Sequence, residues 1–104
     1  MKNILYEILV PTMYGDTKKP ISTRHHKNWD RKVLKITSGL TICSPSKGKW
    51  VFQNEDFFER VIPVRIFCSE NDMEKIVEMS LTHYRQIAIM FYVVSEKCEI
   101  RYQK

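Results

Sequence analysis

At 104 residues, 43% hydrophobic and 28% charged, the chain has the size and composition of one soluble globular domain spanning residues 1–104. Its three glycines and four prolines argue against collagen-like or low-complexity structure. The net charge of +5 is concentrated: residues 16–35 hold seven of the seventeen basic side chains against Asp16 and Asp30. The pattern predicts a local basic surface on an otherwise balanced protein.

No apolar run approaches the roughly 18 residues a bilayer-spanning helix requires. The opening MKNILYEILVP is interrupted by Glu7 and lacks a small-residue cleavage signal, so no secretory leader and no membrane partner are expected. Cys43, Cys68 and Cys98 form an odd set without CxxC spacing, which suits a reducing cytoplasm better than a disulfide framework. Close-spaced zinc-ligand pairs are missing from the sequence, so no metal and no cofactor are expected.

Taken in chain order, residues 3–10 alternate as a strand in which Ile4, Tyr6, Ile8 and Val10 share one face and Leu5, Glu7 and Leu9 the other. Pro11 ends it, and residues 11–21 read as a loop. Ser22 or Thr23 can cap a helix over about 23–38, because a short side-chain oxygen accepts from the free N–H groups of the first turn. His26, Trp29, Val33, Ile36 and Leu40 form its apolar stripe, and Gly39 suits a left-handed C-terminal position.

Leu40–Cys43 reads as a short strand, residues 44–49 as a turn with Gly48 free to take positive φ, and Trp50–Phe52 as a returning strand. Residues 53–59 read as an acidic connection, with Glu55, Asp56 and Glu59 solvated. Arg60–Cys68 is a strong strand in which Pro63 predicts a bulge or an edge. Ser69 to Asp72 supplies helix-capping groups, followed by the stripe Met73, Ile76, Val77, Ser80, Leu81 and Tyr84. Ile87–Ser95 reads as the last strand.

The order β-α-β(β)-β-α-β predicts a ferredoxin-like α+β sandwich: an antiparallel sheet with two helices on one face and the first and third main strands in the middle. Glu7 and Arg65 would then pair across the two central strands on the open face. Leu5, Leu9, Val61, Phe67 and one face of the last strand would leave an apolar patch there, and a homodimer through the open sheet face or the last strand is expected to cover it.

The helix start at PISTRHHKNWDRK is the candidate site. Acidic side chains favour a helix's first turn, yet Arg24, His25 and Lys27 stand there, preceded by Lys18 and Lys19. Together, Lys18, Lys19, Arg24, His25 and Lys27 suit a phosphate-bearing ligand, nucleotide or nucleic acid. His25 and His26 point about 100° apart on a helix, so one metal ion does not take both; His26 reads as a packing residue and His25 as exposed. Against RNA-recognition chemistry, the third strand lacks the glycine-aromatic signature and offers Phe67 as its outward aromatic.

The segments WDRKV (29–33), GLTI (39–42), Pro45 and KGKW (47–50) together resemble small uncharacterised bacterial and phage proteins of ferredoxin-like type. That resemblance implies the fold and assigns no activity and no site. The sequence therefore supports a small cytosolic binding or regulatory module for an anionic partner. Beside it stands a small enzyme of the dimeric ferredoxin-like type, with His26, Tyr6 or Glu7–Arg65 in a pocket. A protein–protein inhibitor or adaptor of viral origin, acting through the apolar face, is the third reading.

Overall fold

The computed structural model describes residues 2–104. Its elements are β1 (Asn3–Pro11), α1 (Thr23–Ile36), β2 (Thr41–Ile42), β3 (Ser46–Phe52), β4 (Glu55–Ser69), α2 (Glu70–His83) and β5 (Phe91–Ser95). The sheet runs β2-β4-β1-β5, with β3 also paired to β4, and the described pairings are antiparallel. This is the ferredoxin-like α+β sandwich, with the first and third main strands, β1 and β4, at its centre.

The alternation in β1 delivers Tyr6, Ile8 and Val10 to the helices, where Val64 and Ile66 of β4 meet them. From α1, Trp29 and Val33 are buried, and from α2, Met73, Ile76 and Val77 close the core. The two helices are joined by a hydrogen bond from the Trp29 indole N–H to Ser80 Oγ at 2.8 Å, and Ser80 donates in turn to the Ile76 carbonyl at 2.6 Å. A buried hydroxyl on a helix would otherwise be costly, so it accepts one bond and donates the other. Each helix begins on a serine, Ser22 or Ser69, whose oxygen accepts from the N–H three residues on.

Several expected features differ. The turn expected at 44–49 is largely strand, and so is most of the connection expected at 53–59. The chain reverses instead at Gln53-Asn54, both left-handed (φ 52° and 63°). Two successive positive φ values are the geometry of the two-residue hairpin turn that follows strand twist. Among the described residues, positive φ falls on Lys18, Gln53, Asn54 and Arg85 and on no glycine, so neither Gly39 nor Gly48 takes the conformation expected of it.

Pro63 makes neither a bulge nor an edge. Its carbonyl accepts from Cys43 N–H at 2.9 Å, so its missing N–H would point the same way, at the break between β2 and β3. The bulge lies between β1 and β5, where the register shifts at Leu5/Tyr6.

The last strand is shorter than expected, because residues 86–90 are held otherwise. Arg85 turns left-handed after α2, and the Gln86 side-chain amide donates to the carbonyls of Met13 (2.9 Å) and Tyr84 (3.1 Å). The loop before α1 is thereby tied to the end of α2, and Gly15 sits so close that an added Cβ would collide with the Arg85 carbonyl. Because that obstacle is backbone, it cannot swing aside. Gly15→Ala is expected to destabilise the fold by about 1–3 kcal/mol, which calorimetry reads as a melting temperature roughly 5–20 °C lower.

Candidate functional site: a groove at the base of the long hairpin

The β3–β4 hairpin runs past the end of the sandwich, and a groove of about 730 Å³ opens where it leaves. Leu9 and Val61 form its floor, Trp50 and Glu59 one wall, and Gln86, Ala88, Ile89 and Met90 the other. Cross-strand pairing places these groups. Gly48 faces Glu59, and Trp50 faces Phe57. Directly paired residues share a face, so Gly48, Trp50, Phe57 and Glu59 all present the same side of the ribbon. A Cβ on Gly48 would stand 2.9 Å from Trp50 Cζ3, so glycine is what lets the indole lie back along the strand opposite Glu59. Trp50 remains 45% exposed, an aromatic face available to a ligand.

Glu59 is half-buried in this apolar setting. Burial raises its carboxyl above the ordinary range, and the charge of Lys18 partly offsets that rise. A desolvated carboxyl beside an exposed aromatic in an apolar cleft is the usual signature of a binding or reaction site. Composition places this residue in a solvated connection; strand pairing through Gln53-Asn54 brings it inward. The available signal is the alternation Gly48, Trp50, Phe52 and Glu55, Phe57, Glu59, Val61 on either side of one tight turn.

Of the five basic residues singled out at the helix start, four are exposed and His25 is half-buried. Lys18 is exposed, left-handed (φ 60°), and near enough to act on Glu59. Lys19 is exposed, and its carbonyl accepts from Tyr14 N–H at 3.0 Å. Arg24 and Lys27 are exposed on α1. His25, expected at the surface, is half-buried and turned onto α2, with its ring stacked on His83 at 3.8 Å.

Each of these two histidines donates its Nε2–H to the other's backbone carbonyl, at 2.7 and 2.9 Å, and the Lys32 ammonium donates to His83 Nδ1 at 3.1 Å. His83 Nδ1 is thus an acceptor and the ring neutral, in keeping with burial that lowers its affinity for a proton. His26 packs as expected, with its Nδ1 2.8 Å from the Tyr84 hydroxyl, and burial lowers its proton affinity too. Among the described residues, no group of three or more His, Cys, Asp and Glu could hold a metal ion. Cys43, Cys68 and Cys98 are free thiols, and burial pushes Cys68 up to about 11.

On the open face, Arg65, Glu7 and Tyr92 stand side by side in one cross-strand row. Arg65 Nε donates to Glu7 Oε1 at 3.1 Å, as the sequence predicts, and the Tyr92 hydroxyl donates to Glu7 Oε2. Glu7 is left 8% exposed. No helix among the described residues is long and apolar enough to cross a membrane.

No protein-family model matches the sequence, and no curated protein matches it. Solved structures do. CutA1 from the psychrotrophic bacterium Shewanella sp. SIB1 superposes with a TM-score of 0.71 at 11% identity, covering 95% of this chain and 85% of that one. The divalent cation tolerance protein CutA1 from Thermus thermophilus gives 0.67 at 10% identity, covering 88% and 82%. A phage S-adenosylmethionine lyase in complex with S-methyl-5′-thioadenosine gives 0.66 at 14% identity, covering 91% and 82%. These likenesses establish the fold.

The groove makes a stability prediction. A carboxyl held above its unfolded value of 4.5 binds its proton longer in the folded state, so stability falls as pH rises through and beyond that value. Glu59→Gln is therefore expected to unfold at higher urea concentration than the parent near pH 7, with the difference vanishing near pH 4. Urea titrations at the two pH values check it.

Proposed function

We propose that the hairpin groove binds S-adenosylmethionine and that the chain cleaves it, releasing S-methyl-5′-thioadenosine. The observation that carries this reading is the half-buried Glu59 carboxyl beside the open face of Trp50. A ligand suited to both has a flat ring and a positive charge, and S-adenosylmethionine has an adenine and a sulfonium. Further support comes from the phage lyase, whose fold is shared and whose bound molecule is the thioether such a cleavage leaves behind.

In that reaction a carboxylate oxygen of the substrate attacks its own γ-carbon, and the new C–O bond closes a lactone as the bond from that carbon to sulfur breaks, both of its electrons going to sulfur. The leaving group is a neutral thioether and needs no proton. Positive charge at sulfur fades in the transition state, so Glu59 acts chiefly by seating the sulfonium and excluding water from it. Trp50 supplies a stacking surface for the base.

Self-association belongs to this reading. β5 lies at a sheet edge and exposes Tyr92, Val93 and Val94, and the hairpin exposes Phe52, Phe57 and Phe58. The last strand's free edge is the contact we assign to a second copy, in a reducing cytoplasm that keeps the three thiols free.

Incubation with S-adenosylmethionine is expected to yield S-methyl-5′-thioadenosine by liquid chromatography. Glu59→Gln should lower kcat/KM at least about tenfold, mostly through KM, as expected for loss of one charged contact. Native mass spectrometry of the same sample should show an oligomer retaining the nucleoside. A protein that neither binds nor cleaves S-adenosylmethionine overturns the reading.

A second reading is anion recognition by Lys18, Lys19, Arg24, His25 and Lys27, which would take nucleic acid or another phosphate-bearing partner. It is favoured by the start of α1, whose first turn holds no acidic residue and where Arg24 and Lys27 are exposed. Arg24→Glu/Lys27→Glu is expected to elute from heparin at markedly lower salt than the parent. Unchanged elution removes this reading.

A further inference from the structure

A second groove, of about 540 Å³, lies on the open sheet face between the C-terminal tail and the β2 side of the sheet. Leu5 and Phe67, paired across β1 and β4, face Ile100 and Tyr102 of the tail, and Asn3 and Thr41 add polar groups at the margins. Arg65 is the one charged residue among the described residues that line it.

The setting of Arg65 is unusual. Its Nε is engaged by Glu7, and Glu7 is itself fixed by Tyr92. A buried carboxylate on the Nε side orients the guanidinium, and among the described residues the two terminal nitrogens make no hydrogen bond or ion pair. The side chain is 48% exposed. A fork aimed and rigidified in this way is what bidentate recognition of an oxyanion needs. Since Glu7 already offsets much of the positive charge, the site suits a single negative charge better than a phosphate dianion.

We propose that this groove binds a small monocarboxylate with an apolar or aromatic body, its carboxylate on the terminal nitrogens of Arg65 and its body between Phe67 and Tyr102. Tyr102, 83% exposed, lines the groove across from the strand pair and offers its ring to the ligand. The site uses neither Glu59 nor Trp50 and stands apart from the reading of the first groove.

Benzoate is the probe, titrated into the isotopically labelled full chain and followed by backbone amide NMR. Saturable shifts are expected at Leu5, Thr41, Phe67 and Tyr102, with the neutral isostere benzamide and inorganic phosphate each binding at least about tenfold more weakly. Arg65→Gln should weaken benzoate by a similar factor. Because that change strands buried Glu7, Tyr102→Ala provides a second variant on the exposed tail; it should weaken benzoate roughly threefold or more and leave the amides of β1 and the helices unmoved. Shifts that are missing or that map elsewhere overturn the proposal, as does benzamide or phosphate binding as well as benzoate. So does wild-type affinity in Tyr102→Ala or in a folded Arg65→Gln.

Discussion

The constraint on which the rest depends is the length of β4. Fifteen residues of strand extend about 50 Å at 3.3 Å each, and the molecule's longest dimension is 52 Å. From Val61 onward, β4 is paired to β1 and lies over the helices. Before that, from Glu55 to Arg60, β3 is the partner it has. An isolated two-stranded ribbon is marginal in water, so this arm depends on cross-strand contacts such as Trp50 against Phe57 and on Lys49 standing 5.6 Å from the Phe58 ring centre. The first groove lies where the ribbon leaves β1, with Trp50 and Glu59 of the ribbon and Gln86, Ala88, Ile89 and Met90 among its lining residues.

Legibility in the sequence follows how local the determinants are. β1, α1 and α2 carry strict periodicity and serine caps, and their placement follows from residue spacing alone. The N-terminal half of β4 does not. Gln53 and Asn54 are weaker hairpin signals than Asn-Gly, and the acidic residues beside them match a loop in composition. With that turn missed, Glu59 falls in solvent and the groove disappears. The opposite error occurs at residues 87–90: Ile87-Ala-Ile-Met reads as strand, yet Arg85 and the two bonds of Gln86 redirect the chain, and Ile87 is fully exposed. Neither tether leaves a trace in hydropathy. Pro63 is informative in kind but not in detail, since the interruption it imposes falls between β2 and β3 rather than in β4.

The histidines show why residue type alone misleads. His25 and His26 in succession suggest chemistry, but helix geometry sends them to different neighbours, and His83 decides what they do. Two imidazoles stacked at 3.8 Å would repel if both were charged, and burial lowers the proton affinity of His83 and of His26. Their unfolded forms take up protons first, so this cluster favours the fold above the ordinary histidine value and works against it below. That arrangement closes the α1–α2 seam with a neutral His83 ring, backbone carbonyls and the exposed Lys32 ammonium as its one charged donor, where a buried ion pair would carry a desolvation cost.

The helix seam is committed to packing, and both grooves lie on the sheet and its extension. The two grooves divide by charge. One holds a half-buried carboxyl beside an indole, the other a guanidinium braced by a buried carboxylate. Each charged group is placed by strand pairing, Glu59 against Gly48 and Arg65 against Glu7, so its position is set by backbone register rather than by a mobile loop. A one-residue slip of β4 against β1 would turn Arg65 to the helix side and bring Val64 and Ile66 into solvent. The apolar core therefore enforces the register that aims the polar groups, and the same alternation that buries Tyr6 and Ile8 holds Glu7 on the opposite face.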